Sequence, residues 1–207
     1  MEKQVDKSHY QFSSYIHKKR WLSMWHQLDE VLSLNPRTVL EIGPGPGLFK
    51  VLAVSLGVVV ETLDIDPELT PDHVASATNL PFDDNSYDCV CAFQMLEHLP
   101  YEQSLQSFSE MVRVAKNHIV ISLPDAKTLW PYSLHIPIIG TVMFHITKPR
   151  LRPRTHKFHG QHHWEINKKG YHLQKIIDDF TRHNVKMLKT YRVKMYPYHR
   201  FFVFVKV

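Results

Sequence analysis

The chain is poor in cysteine, with only Cys89 and Cys91 in 207 residues. A disulfide-stapled secreted fold is thereby excluded, and reduced thiols are expected. The two are expected to face opposite sides of one strand, buried, unpaired and inert. No apolar run is long and unbroken enough to be a transmembrane helix, since residues 129–146 are interrupted by Pro131, Pro137 and Gly140. No apolar leader opens the chain, so it reads as cytoplasmic. The glycine-rich segment lacks the Lys-Ser/Thr ending of a phosphate-binding loop, with Leu48-Phe49 in its place. A triphosphate ligand with Mg2+ is excluded with it.

What is present begins at Glu41-Ile42-Gly43-Pro44-Gly45-Pro46-Gly47. Thr38-Val39-Leu40 before it reads as a buried strand, and Leu48 to Leu56 after it has helical spacing. Glycines let the chain turn sharply and let a ligand approach the backbone. Val58 to Leu63 reads as the next strand, ending in Asp64-Ile65-Asp66-Pro67. The ends of adjacent parallel strands line one crevice, where a carboxylate accepts from ribose hydroxyls. A carboxylate at Glu41 favours a ligand that is cationic nearby. A ribose-bearing, positively charged ligand is therefore expected.

Further along, Tyr87 to Phe93 and Ile119 to Ser122 read as strands, and Tyr101 to Ala115 and Lys168 to His183 as helices. Val185 to Val193 and Phe201 to Val207 read as a terminal strand pair joined by a turn at Tyr196-Pro197-Tyr198-His199. The second helix is nearly absent, with only Pro67 to Pro71 after the second strand. Strands alternating with helices imply a parallel α/β sheet. Length and composition fit one domain over 1–207, with a helical cap at 1–35 and a lid insertion at 124–165.

These stretches resemble the class I S-adenosylmethionine-dependent methyltransferases, in the small-molecule branch with a Leu-Pro-Phe element. The likeness rests on Glu41 to Gly47, Leu63-Asp64-Ile65-Asp66, Leu80-Pro81-Phe82 through Val90, Met95-Leu96-Glu97-His98-Leu99, and Arg113 to Lys116. It implies a Rossmann-like three-layer sandwich on a mostly parallel seven-stranded sheet with an antiparallel C-terminal strand. It implies S-adenosyl-L-methionine as cofactor and S-adenosyl-L-homocysteine as product. By position, Gly43, Pro44, Gly45 and Gly47 would line the cofactor turn, and Glu41 would orient that turn or the methionine ammonium. Asp64 and Ile65 would meet the ribose, and Phe93 and Gln94 the methionine part. The family's adenine-binding Asp is replaced by Ser76, leaving Ala77 and Thr78 to meet the adenine edge.

The acceptor side is expected in the lid. Its first part is apolar and carries Trp130. Its second part carries Arg150, Arg152 and Arg154. Residues 121–207 hold 16 Lys and Arg against 4 Asp and Glu, whereas residues 1–120 hold 9 against 16. That imbalance favours an anionic or lipid-linked small-molecule acceptor, with peripheral membrane-surface contact as an alternative. No nucleic-acid module is present, and Ala92-Phe93-Gln94-Met95 stands where base-amine methyltransferases carry Asn/Asp-Pro-Pro-Tyr. RNA methylation and an inactive cofactor-binding sensor or scaffold stand as the other readings. His162, His163 and Trp164 are expected to close over the acceptor, with a histidine as general base. His98 is a second candidate, more readily read as structural. No metal is expected, because no cysteine accompanies the histidines.

Overall fold

The computed structural model describes residues 7–10, 15–149, 154–158 and 160–207. Its elements are α1 (Lys18–Leu32), β1 (Thr38–Ile42), α2 (Leu48–Ser55), β2 (Val59–Asp64), β3 (His73–Val74), β4 (Tyr87–Phe93), α3 (Tyr101–Val114) and β5 (Ala115–Pro124). There follow β6 (Leu129–Ile136), β7 (Gly140–Thr147), α4 (Leu173–Thr181), β8 (Val185–Val193) and β9 (Tyr196–Lys206). Seven strands form one sheet in the order β3-β2-β1-β4-β5-β9-β8. Neighbours from β3 to β5 pair parallel, while β9 runs antiparallel to both β5 and β8. This is the Rossmann-like arrangement expected, with one reversed strand near the edge.

Two apolar faces make the three layers. On one, Val39, Cys89, Cys91, Phe93, Val120 and Val203 pack with Val31 of α1 and Phe49 and Ala53 of α2. On the other, Leu40, Val90, Ile119, Phe202 and Phe204 pack with Phe108 and Met111 of α3 and Phe180 of α4. Adjacent residues such as Val39 and Leu40 go to opposite layers because side chains alternate along a strand. The same rule corrects the expectation for the cysteines. Two residues apart, Cys89 and Cys91 share one face, and both are buried free thiols. Desolvation pushes the Cys89 thiol up to about 12 and Cys91 well above its ordinary value, so both stay protonated.

Phe108 contacts both Phe180 and Phe204, at 4.3 and 5.2 Å between ring centroids. Burying each such ring stabilises the fold by roughly 1.5–3 kcal/mol, which holds α3 and α4 on the sheet.

Two element boundaries differ from expectation. The segment at Tyr196 to His199 is strand rather than turn, because β9 already pairs with β5 from His199↔Pro124 onward. Helix α4 starts at Leu173, after His172. The insertion after β5 is a separate antiparallel hairpin of β6 and β7. Among the described residues, no helix is long and apolar enough to cross a membrane.

Candidate cofactor and acceptor site

A cavity of about 220 Å³ opens at the C-terminal ends of β1, β2 and β4. A smaller space of about 40 Å³ adjoins it and shares Tyr15, Arg20, Gly43, Phe93, Gln94 and His199 with it. This is the crevice that an open parallel sheet offers a ligand.

The floor is the glycine turn. Gly43, Gly45 and Gly47 all have positive φ, at 69°, 54° and 71°. A Cβ on Gly43 would stand 2.5 Å from Met95 Cγ, and one on Gly45 would stand 3.1 Å from Tyr10. The Gly43 N–H donates to the Leu63 carbonyl at 2.9 Å, which ties the turn to the end of β2. Asp64 and Ile65, at that end, line the cavity. Asp64 accepts from the Asp66 N–H at 2.9 Å, and burial raises its pKa against the backbone donors that lower it. Phe93 and Gln94 line the wall after β4, with Gln94 in left-handed backbone at φ 53°. Its N–H donates to the Ser122 carbonyl at 2.9 Å, fixing a conformation unusual for a non-glycine residue.

Glu41 borders the smaller space with Pro44. It is buried, its Oε2 has no hydrogen-bond partner, and desolvation lifts its pKa to about 8, only partly opposed by Lys50. Across the shared wall lies Arg20, whose buried Nε also lacks a hydrogen-bond partner and whose guanidinium stacks 3.9 Å over the Tyr15 ring. Ala75 and Ala77 line the far side, whereas Ser76 and Thr78 do not, their hydroxyls bonding each other at 2.8 Å.

Histidines meet on the opposite wall. His98 and His162 line the cavity with ring centroids 5.0 Å apart. His98 Nδ1 donates to the Gln161 carbonyl at 3.1 Å, and burial, with His162 adding to it, lowers its pKa to about 4. His162 Nδ1 pairs with Glu165 Oε1 at 3.1 Å, and the Tyr198 hydroxyl donates to the same oxygen at 2.8 Å. Burial depresses the His162 pKa, but the bond to Glu165 and the charges of Glu97 and Glu165 outweigh it, leaving a net rise. Burial alone would raise Glu165, yet those hydrogen bonds and Lys168 hold it at about 2. Buried Glu97, with both oxygens unpartnered and a pKa raised to about 7 by burial, sits beside them. One ligand-type atom each from Glu97, His98 and His162 lie within 4.8 Å of one another, a spacing that would suit a cation.

Several expected site residues stand elsewhere. Trp164 is fully buried in the core, 5.0 Å edge-on to Tyr101, where its large apolar area is covered, so it is no lid residue. His163 turns from the cavity to stack on Phe158 at 4.5 Å. Trp130 is exposed on the hairpin and Arg154 is exposed in the following loop, and neither lines the cavity. Arg150 and Arg152 lie outside the described residues. The cavity is instead covered from the N-terminal side, by His9, Tyr10, Tyr15 and Arg20, and by Tyr198 and His199 of β9. No local motif announces these six, because tertiary packing alone brings them there.

Residues 40–121 match the family model described as a methyltransferase domain. An uncharacterized methyltransferase from Mycobacterium sp. (strain JLS) is 32% identical over 111 residues, covering 48% of this chain and 42% of the relative. The chain thus spans less than half the length of such curated relatives. The PH0226 protein of Pyrococcus horikoshii OT3 superposes with a TM-score of 0.64 at 16% identity, over 98% of this chain and 100% of that one. The magnesium protoporphyrin IX methyltransferase of Synechocystis PCC 6803 with bound S-adenosylmethionine gives 0.57 at 14%, over 100% and 87%. Over residues 40–121 the chain is thus similar to methyltransferase domains, and the solved structures show that it shares their fold.

Proposed function

We propose that the chain transfers a methyl group from S-adenosylmethionine to a small-molecule acceptor carrying an ionisable hydroxyl, amine or thiol, with His162 as general base. The observation that carries this reading is that His162, paired with Glu165, lines the same cavity as Gly43, Asp64 and Gln94. The residues fit the donor. Unpartnered Glu41 Oε2 suits its ammonium, half-buried Arg20 its carboxylate, and Asp64 its ribose. Gly43 and Gly45 leave the backbone bare where the donor would lie. When bound, the donor supplies a sulfonium whose methyl group leaves readily, so alignment and exclusion of water do much of the work.

Ionised Glu165 holds the proton of His162 on Nδ1, which makes Nε2 the basic nitrogen. Tyr198, donating to the same carboxylate, fixes that geometry. Neutral His162 would accept the acceptor's proton as its oxygen, nitrogen or sulfur bonds to the methyl carbon. The basic half of the sequence supports an anionic or lipid-linked acceptor. The protoporphyrin methyltransferase, which resembles this chain in fold, acts on a small molecule by its name.

The test uses methyl-labelled donor with extracts of small metabolites and mass analysis of the labelled product. His162→Gln should lower incorporation by roughly 10²–10⁴-fold while donor binding by calorimetry is kept. Full incorporation by that variant removes the base role. Absence of donor binding at millimolar concentration sinks the whole reading. Incorporation should survive EDTA; activity lost to EDTA and restored by a divalent ion would assign Glu97, His98 and His162 to a metal instead.

A further inference from the structure

The hairpin of β6 and β7 is amphipathic across its two faces. Cross-strand pairs Trp130–Ile146, Tyr132–Phe144 and Leu134–Val142 put only apolar or aromatic side chains on one face. The pairs between them, Pro131–His145, Ser133–Met143 and His135–Thr141, make the other face largely polar. Because side chains two apart share a face, the first set forms a continuous apolar strip. That strip is uncovered, with Trp130 43% and Leu134 56% exposed, and Ile139 at the turn reaches 71%. A contiguous exposed patch of this kind marks a binding surface. None of its residues lines the cavity, so it does not serve as the lid.

Charge and order along the ribbon indicate what covers it. Between Asp125 and Glu165 the sequence contains no acidic residue and carries Lys127, Lys148, Arg150, Arg152, Arg154 and Lys157. Lys127 and Lys148 flank the open end, where the Lys148 ammonium lies 5.8 Å over the Trp130 ring. Trp130, Tyr132 and Phe144 come next along the apolar face, and Ile138 and Ile139 form the far turn. Cations, then aromatics, then aliphatic side chains is the order met in passing from lipid headgroups to acyl chains. A second copy stacked on this face would bring two acid-free, cationic segments together, an arrangement that like charges disfavour.

We propose that the hairpin docks on an anionic lipid surface. The apolar face and the Ile138–Ile139 turn enter the acyl boundary, and Lys127 and Lys148 stay at headgroup level.

Vesicle flotation of the whole protein tests this, with phosphatidylcholine alone against phosphatidylcholine mixed with phosphatidylglycerol. The protein should float with the anionic vesicles, less so as salt is raised, and weakly with the neutral ones. The double substitution Ile138→Asp/Ile139→Asp, in an exposed turn, should cut partition by about tenfold or more and leave donor binding unchanged. Flotation equal to wild type in the double variant overturns the proposal, as does no flotation of the wild type at low salt. A dimer seen by sedimentation and dissolved by the same variant, without vesicle binding, assigns the face to a second copy and also overturns it.

Discussion

Glu41 has the most to gain from a bound donor. Buried and raised to about 8, it holds a proton at neutral pH when nothing cationic faces it. A ligand ammonium beside it favours the ionised form, so binding should release a proton. Affinity for S-adenosylmethionine should then climb with pH, by up to tenfold per unit, and level off near pH 8. Calorimetry in buffers of differing ionisation heat reads that proton directly; identical enthalpies in all buffers would refute the pairing. Gly43 is the other sensitive position. At φ 69° with Met95 Cγ 2.5 Å from an added Cβ, Gly43→Ala strains the backbone and pushes Met95 into the cavity. Donor affinity should fall by roughly tenfold or more, the scale of 1–3 kcal/mol of local strain. His162 supplies the third expectation. Its raised pKa means that incorporation should rise with pH through an ionisation above the ordinary imidazole value. A flat profile there is incompatible with a general base at that position.

Among elements, the loop between β3 and β4 is held by Gln106, Glu110 and Arg113 of α3, with Arg113 making most of the bonds. Arg113 donates to the carbonyls of Leu80 and Phe82, and pairs with Glu110 and Asp84 at 2.8 Å. That clamp holds the Leu-Pro-Phe stretch, and the neighbouring wall at Ala75 and Ala77, against the helix. Removing it in Arg113→Ala leaves those carbonyls without their donor, costing about 1–3 kcal/mol. Urea unfolding measures the loss; a variant as stable as wild type would show the clamp to be ornamental.

This loop also shows what was legible in advance. Its residues, like those from Glu41 to Gly47 and at Asp64, follow one another closely along the chain, so short-range pattern located them. Tyr15, Arg20 and His199 come from distant segments and carry no local signature, so only packing reveals them as cavity walls. Trp164 misled because a tryptophan beside histidines reads equally as pocket or core. Its place is set largely by Tyr101, 63 residues earlier in the chain and edge-on to its ring.

For the molecule as a whole, Asp125 ties the separate parts together. Fully buried after β5, it pairs with Arg200 of β9 at 2.8 Å and Arg192 of β8 at 3.6 Å, and accepts from Asn167 at 2.8 Å. Removing the carboxylate leaves two part-buried cations without their counter-ion, so Asp125→Ala should cost about 3–5 kcal/mol in urea unfolding. A loss under about 1 kcal/mol would mean water replaces the carboxylate.

The position of β9 carries a consequence for how the protein is made. This strand lies inside the sheet, between β5 and β8, and brings Tyr198 and His199 to the cavity. The glycine turn, although synthesised well before β9, therefore stays an open trough until β9 is made. A nascent chain stalled on the ribosome at Lys194 should retain no labelled S-adenosylmethionine, whereas the released chain should. Retention by the stalled chain would show that the trough binds without its final wall.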